Sequence, residues 1–461
     1  MADLEVDYLV IGAGAAGMAF TDSLISDSDA TVAIVDRRHR PGGHWNDAYP
    51  FVRLHQPSAF YGVNSLPLGS GAIDQVGLNR GLGELASGHE VLSHFDQAMQ
   101  QRFLPSGRVE FLAMTEYADG VATSLLSGQR RTVSPRVTVD ASYSAVQVPS
   151  RRAPAYSVEP GVTCVPLNEL PDVAPDHESF TVIGAGKTGM DACIWLLLNG
   201  APPERIRWVV PRDAWLLDRA CFQFGDSFAR TAQSLADQVE AITAADDLDD
   251  VFLQLEARGE LVRIDPEVLP SAYHCAIVSE GELAQLRRIR DVVRLGRVTR
   301  LTPGHMQLEG GTVPTSPGNL FVDCSAAGIP GRPATAVFAG DRITLQWVRL
   351  CQPTFSAAFI GHVEAMDDDE QRKNWLCQPI APPTVPPDWL RMMGVELDNR
   401  HRWSADPELQ RWQANARLDP FTSRLGSIGP HETEAMAHLG RYLEHVGAAS
   451  ERIPELLAGT A

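Results

Sequence analysis

The sequence predicts an α/β fold: two three-layer, parallel-sheet domains, the second inserted into the first, followed by a helical C-terminal extension. Three observations predict it. A strand, a glycine turn and a helix follow one another without interruption over residues 7–25, and again over residues 180–198. The two turns are 184 − 12 = 172 residues apart, which is room for a domain each. The chain has 461 residues, 44% hydrophobic and 21% charged, the composition of a globular protein with sizeable cores.

The first unit opens with Asp7–Ile11, a β-branched and apolar run, and Gly12-x-Gly14-x-x-Gly17 follows at once. Gly12 permits a tight turn out of the strand, and Gly14 lets the backbone approach a diphosphate. Gly17 allows close packing of helix on strand, and Ala16 lies in the first helical turn. A helix is expected over Met18–Ile25 and a second strand over Thr31–Val35, ending at Asp36. Asp36 stands 36 − 17 = 19 residues beyond Gly17, where a carboxylate accepts ribose hydroxyls. This is a Rossmann-like, dinucleotide-binding pattern, and Arg37 joins its candidate cofactor contacts.

The second unit repeats the order: strand Phe180–Ile183, turn Gly184-x-Gly186-Lys187-Thr188-Gly189, helix Met190–Leu198, strand Ile206–Val210. A phosphate-binding P-loop would need glycine where Thr181 stands, so that reading fails. Pro211-Arg212 follows the second strand in place of an acid. A guanidinium there holds a ribose 2′-phosphate that a carboxylate would repel, and Lys187 adds positive charge beside the diphosphate. Two units of unequal type imply two nucleotides, FAD on the first and NADPH on the second.

Between the units, Gly43-His44-Trp45 offers close backbone approach, an imidazole and a flat indole wall. The aromatic, proline-broken segment Tyr49–Tyr61 suits a pocket wall. His44, His55 and Gln56 are the candidate catalytic residues. Gly88–Phe103 reads as an amphipathic helix, and Val109–Tyr117 and Thr132–Ala141 as strands of a small accessory sheet. The proline-rich stretch Ser142–Pro175 marks the crossing between domains, and Gly225–Arg290 a helical insertion. Leu320–Asp323 is expected to rejoin and complete the first sheet. Thr354 or Ser356 is expected to cap a helix over Ala357–Ala365 whose N-terminus faces the flavin. Domain bounds follow: 1–150 and 319–378 for FAD, 151–318 for NADPH with its insertion at about 225–290, and 379–461 for a linker and helices.

Lys+Arg 39 against Asp+Glu 58 gives a formal net charge of −19, which speaks against nucleic-acid or acidic-membrane partners. The seven cysteines include no C-x-x-C pair and no metal-ligand spacing, so no metal is expected. An odd count behind a start without a basic, apolar leader reads as reduced thiols in the cytoplasm. No apolar run is long enough to span a bilayer.

With these residues placed, the chain resembles the flavin-containing monooxygenases and their Baeyer–Villiger relatives, the class B flavoprotein monooxygenases. The matching pieces are Gly12-x-Gly14-x-x-Gly17, Asp36, Gly43-His44-Trp45, Tyr49–Leu54 and the second glycine turn. The resemblance spans roughly residues 5–365. It implies FAD, NADPH, dioxygen and a small organic substrate, with reduced flavin trapping oxygen as a C4a-(hydro)peroxide. Two features depart from the family: Tyr156–Leu170 holds no histidine where its F-x-G-x-x-x-H fingerprint belongs, and its A-T-G positions read Ala141-Ser142-Tyr143 and Ala326-Ala327-Gly328. An NADPH-dependent flavin reductase without oxygen transfer, or a flavin redox sensor, draws on the same nucleotide motifs.

Overall fold

The computed structural model describes residues 3–144, 146, 148–326, 328 and 332–459; Ala327 of the second A-T-G position lies outside them. The first strand, β1 (Leu4–Ile11), is flanked on both sides by parallel neighbours. One is β2 (Val32–Val35), buried at all four positions, and the other is the long strand Arg130–Asp140. One face of the sheet is covered by helices and the other by a β-hairpin carrying Tyr117 and Ala122, so β2 and the second half of β1 are apolar on both faces. Helix α1 (Ala15–Asp27) joins them and is buried from Gly17 to Ile25. The sheet runs Phe338–Ala339, Arg342–Thr344, Arg130–Asp140, β1, β2, Val109–Leu112.

The chain leaves this sheet at Asp140 and builds a second, wholly parallel one. Its centre is β3 (Phe180–Ile183), followed by helix α2 (Lys187–Leu198) and β4 (Ile206–Val209). The order is Asp291–Val293, β4, β3, Leu320–Asp323, Thr163–Pro166. The chain then returns to the first sheet through Arg342–Thr344, parallel to Arg130–Asp140. Helix α3 (Pro353–Met366) closes the first domain against α1. The approach is tight because Gly361 has no side chain: a Cβ there would meet the Phe20 carbonyl oxygen at 2.6 Å. None of the helices among the described residues is long and apolar enough to cross a membrane.

Several expectations need correction. Leu320–Asp323 completes the second sheet, not the first; it lies beside β3 in a slot buried on both faces. Val109–Leu112 and Arg130–Asp140 belong to the main first sheet, and the accessory hairpin is Thr115–Ala118 with Val121–Ser124. The insertion is helical over Phe228–Ala244, Leu248–Ala257 and Glu280–Leu286 but not throughout. Between the last two, Leu261–Val262 and Ala272–Val278 form a small sheet with Ala214–Asp218.

The thiols are not all reduced. Cys275, on Ala272–Val278, is disulfide-bonded to Cys351, just ahead of α3, with Cα atoms 6.3 Å apart. Neither Thr354 nor Ser356 caps α3, which begins at Pro353 after Gln352. Both lie fully buried inside its first turn. Thr354 donates to the Phe60 carbonyl, while Ser356 donates to the Gln352 carbonyl and accepts from the Val348 and Arg349 amides. Beyond the prolines, Pro386–Ser404, Pro407–Asn415 and Thr433–Ala458 wrap the insertion and the first domain.

Candidate functional site

Both glycine turns sit at the C-terminal ends of their central strands and have the same construction. Gly12 takes φ +107, a left-handed value natural only to glycine. A Cβ at Gly17 would run into the Gly12 carbonyl oxygen, and one at Gly189 into that of Gly184. Neither helix has a side-chain cap: α1 starts after Gly14 and α2 after Gly186. The amides of Ala15, Ala16 and Gly17, and of Lys187, Thr188 and Gly189, therefore find no acceptor among the described residues. Three unpaired N–H groups at the positive end of a helix dipole form a cradle for a diphosphate.

The two nests differ above the turn. Gly42 donates its amide to the Ala13 carbonyl at 2.8 Å, laying Gly42-Gly43 across the first turn. Gly43 takes φ +55, and a Cβ on it would stand 2.9 Å from the Gly14 Cα. Gly186 is exposed, with nothing within 4 Å of an added Cβ.

Asp36 is buried, and its carboxylate accepts from the Ala13 amide at 2.7 Å and the Arg38 amide at 2.8 Å. It therefore organises the turn, and each oxygen keeps a lone pair for a ribose hydroxyl. Arg37 points into solvent and pairs with Glu116, away from the nest. His44 stacks on Trp45 with ring centroids 5.4 Å apart. Burial, helped by the Arg38 charge, lowers its pKa to about 4, so it is a neutral imidazole and no proton shuttle near pH 7. The Trp45 indole is buried and donates to the Tyr61 hydroxyl at 2.7 Å.

At the second unit, Lys187 pairs with Asp191, one turn along α2, and Asp191 also accepts from the Tyr49 hydroxyl. Tyr49 thus ties the first domain's aromatic segment to the second nest, and Phe51 adds to this by stacking on Trp195. His55 lies further along the same segment, whereas Gln56 is half-buried with no partner among the described residues. Arg212 is exposed and free of ion pairs among the described residues. Beside it Asp213 is neutralised by Arg294, with contacts of 2.8 and 3.1 Å. Ala185, Val210, Asp213, Ala214 and Arg263 line a small cleft there, and Arg263 lies over the Trp215 ring.

Sequence reasoning missed two residues. The side-chain oxygen of Gln352 is buried without a partner at the start of α3, where the Thr354 and Phe355 amides are also unpaired. This is one acceptor among donors, the complement of a planar imide edge such as that of a flavin. Arg219 is fully buried and reaches the His55 carbonyl, Asn79 and Glu282. No local pattern marks either of them.

Residues 10–65 match the family of NAD(P)-binding Rossmann-like domains. The chain belongs to the family of the uncharacterized protein Rv2000 of Mycobacterium tuberculosis (strain ATCC 25618 / H37Rv). The two are 49% identical over 461 residues, covering 99% of this chain and 86% of the relative. The uncharacterized protein Mb2023 of Mycobacterium bovis matches equally. Among solved structures, an oxidized steroid monooxygenase bound to NADP is similar with TM-score 0.49 and 14% identity, over 78% of this chain and 84% of that one. A flavin-containing monooxygenase from Stenotrophomonas maltophilia is similar with TM-score 0.44 and 14% identity, over 79% and 98%.

Proposed function

We propose that the chain is an FAD- and NADPH-dependent flavoprotein monooxygenase that transfers one oxygen atom of dioxygen to a small organic molecule. The observation that carries this reading is the pair of uncapped helix N-termini, one on each parallel sheet, bridged by the Tyr49–Asp191 hydrogen bond. In this reading the amides at Ala15–Gly17 hold the FAD diphosphate and Asp36 its ribose. Gly42-Gly43 close over it, and Gln352 with the first turn of α3 meets the pyrimidine edge. The amides at Lys187–Gly189 hold the NADPH diphosphate, and Arg212 its 2′-phosphate. FAD, when bound, would supply the redox chemistry, hydride acceptance from NADPH and activation of dioxygen. The protein's part is to align the two rings, keep water out with the aromatic wall of residues 45–61, and keep His44 uncharged beside them.

The test is an absorption spectrum of the purified protein before and after anaerobic NADPH, then on admitting air with a panel of amines, sulfides and ketones. A yellow protein that bleaches with NADPH and forms oxygenated product in step with NADPH consumption is expected. Release of hydrogen peroxide alone across the panel would reduce the activity to a flavin reductase. A preparation that stays colourless after reconstitution with FAD would end the reading.

A further inference from the structure

The segment from Tyr49 to Phe60 belongs to the first domain in sequence but lies along the second: Tyr49 bonds to Asp191, and Phe51 stacks on Trp195 with centroids 5.5 Å apart. His55 is held on this segment from two sides. Its carbonyl oxygen accepts from the Nε of the wholly buried Arg219 at 3.0 Å, and Arg219 is itself fixed by Asn79 and Glu282. Its ring Nδ1 lies 3.3 Å from the amide of Ile277, on the strand Ala272–Val278. A backbone amide only donates, so Nδ1 is the acceptor and the ring proton resides on Nε2. That Nε2–H has no partner among the described residues and is not among the buried side-chain atoms left without one, so it is the ring's free donor.

The charged groups facing His55 are Lys187 on α2, Arg219, and Glu282 on the helix Glu280–Leu286. Burial, with the Lys187 and Arg219 charges and against that of Glu282, pushes the imidazole down to about 3. A general base needs a bare nitrogen facing its substrate, and here the free nitrogen carries the proton while the bare one is taken by the Ile277 amide. In the proposed reading a dinucleotide held by the amides at Lys187–Gly189 would lie beside Lys187, whose charge acts on His55.

We propose that His55 is a fixed hydrogen-bond donor to the nicotinamide half of the second dinucleotide, with the carboxamide oxygen as its matching acceptor. The proposal rests on the assignment of NADPH to the second unit. It makes His55 a ligand contact that orients the reacting ring, in place of the acid–base role expected from sequence.

Dissociation constants for NADPH and for 2′,5′-ADP, which lacks the nicotinamide half, test it in the full chain and in two variants. His55→Leu removes the donor. His55→Gln keeps an acceptor for the Ile277 amide and a free donor. His55→Leu is expected to weaken NADPH about tenfold, the worth of one hydrogen bond with a desolvated partner, and to leave 2′,5′-ADP unchanged. His55→Gln is expected to restore most of the loss. Nitrogen-15 spectra of the 13 histidines, with His55 assigned from the His55→Gln difference, should show an Nε2–H tautomer that does not titrate between pH 5 and 8. An equal loss for both ligands, an unchanged NADPH constant in His55→Leu, or a His55 signal that titrates between pH 6 and 7 overturns the proposal. A parent protein that binds neither ligand defeats the NADPH assignment, and the proposal with it.

Discussion

At the scale of single residues, the site depends on where a side chain is forbidden. Gly17→Ala places a methyl group against the Gly12 carbonyl oxygen and must open the first turn, whereas Gly186→Ala meets nothing within 4 Å. The first change is expected to abolish flavin retention and lower Tm by several degrees, and the second to leave Tm unchanged. Flavin absorbance and a thermal melt check both. In the proposed reading Arg212→Ala removes a charge that serves only the 2′-phosphate. NADPH should weaken roughly 10- to 100-fold while NADH is unaffected; equal losses would place Arg212 in another role. These residues were legible in the sequence because a glycine turn between strand and helix is a local constraint, as is the basic residue after β4. Gln352 and Arg219 were not legible, since their partners lie far away along the chain.

At the scale of elements, the contact of α1 with α3 is set by Gly361, whose missing side chain lets the backbones close together. Gly361→Val should separate the helices and destabilise the first domain by about 2–4 kcal/mol, read as a shift in the denaturant midpoint. Strand and helix types at β1, α1, β3 and α2 followed from apolar runs on either side of a glycine turn. Assigning Leu320–Asp323 to a sheet did not, because three apolar residues before an aspartate fit any fully buried slot and carry no mark of which one. The expected caps failed for a similar reason. Thr354 and Ser356 are ordinary capping residues by type, but tertiary contacts with Phe60, Val348 and Arg349 recruited them into the helix interior.

At the scale of the whole molecule, the disulfide Cys275–Cys351 closes a loop across 76 residues and joins the insertion to the entrance of α3. No local spacing announces a pair so far apart. Loop-closure entropy gives it about 4 kcal/mol, so reduction or Cys351→Ser should lower Tm by several degrees, with thiol titration confirming the state of the pair. Acid is a second global lever. Burial lowers His44 and His94 to about 4, whereas an unfolded chain binds those protons near pH 6.5. The unfolded state then holds more protons, so stability falls as pH drops from 6.5 towards 4, by roughly 3 kcal/mol per imidazole, with no contribution above pH 7. A His94→Gln variant should show a shallower loss of Tm over that window.

The loop laid over one turn and absent from the other sets two different lifetimes. In the proposed reading, a nucleotide in the nest that Gly42-Gly43 overlie is expected to leave only when that loop lifts, and so to survive gel filtration and dialysis as a prosthetic group. One resting on the bare ledge at Gly186 is expected, in the same reading, to exchange with bulk solution at every turnover, its occupancy tracking cellular supply.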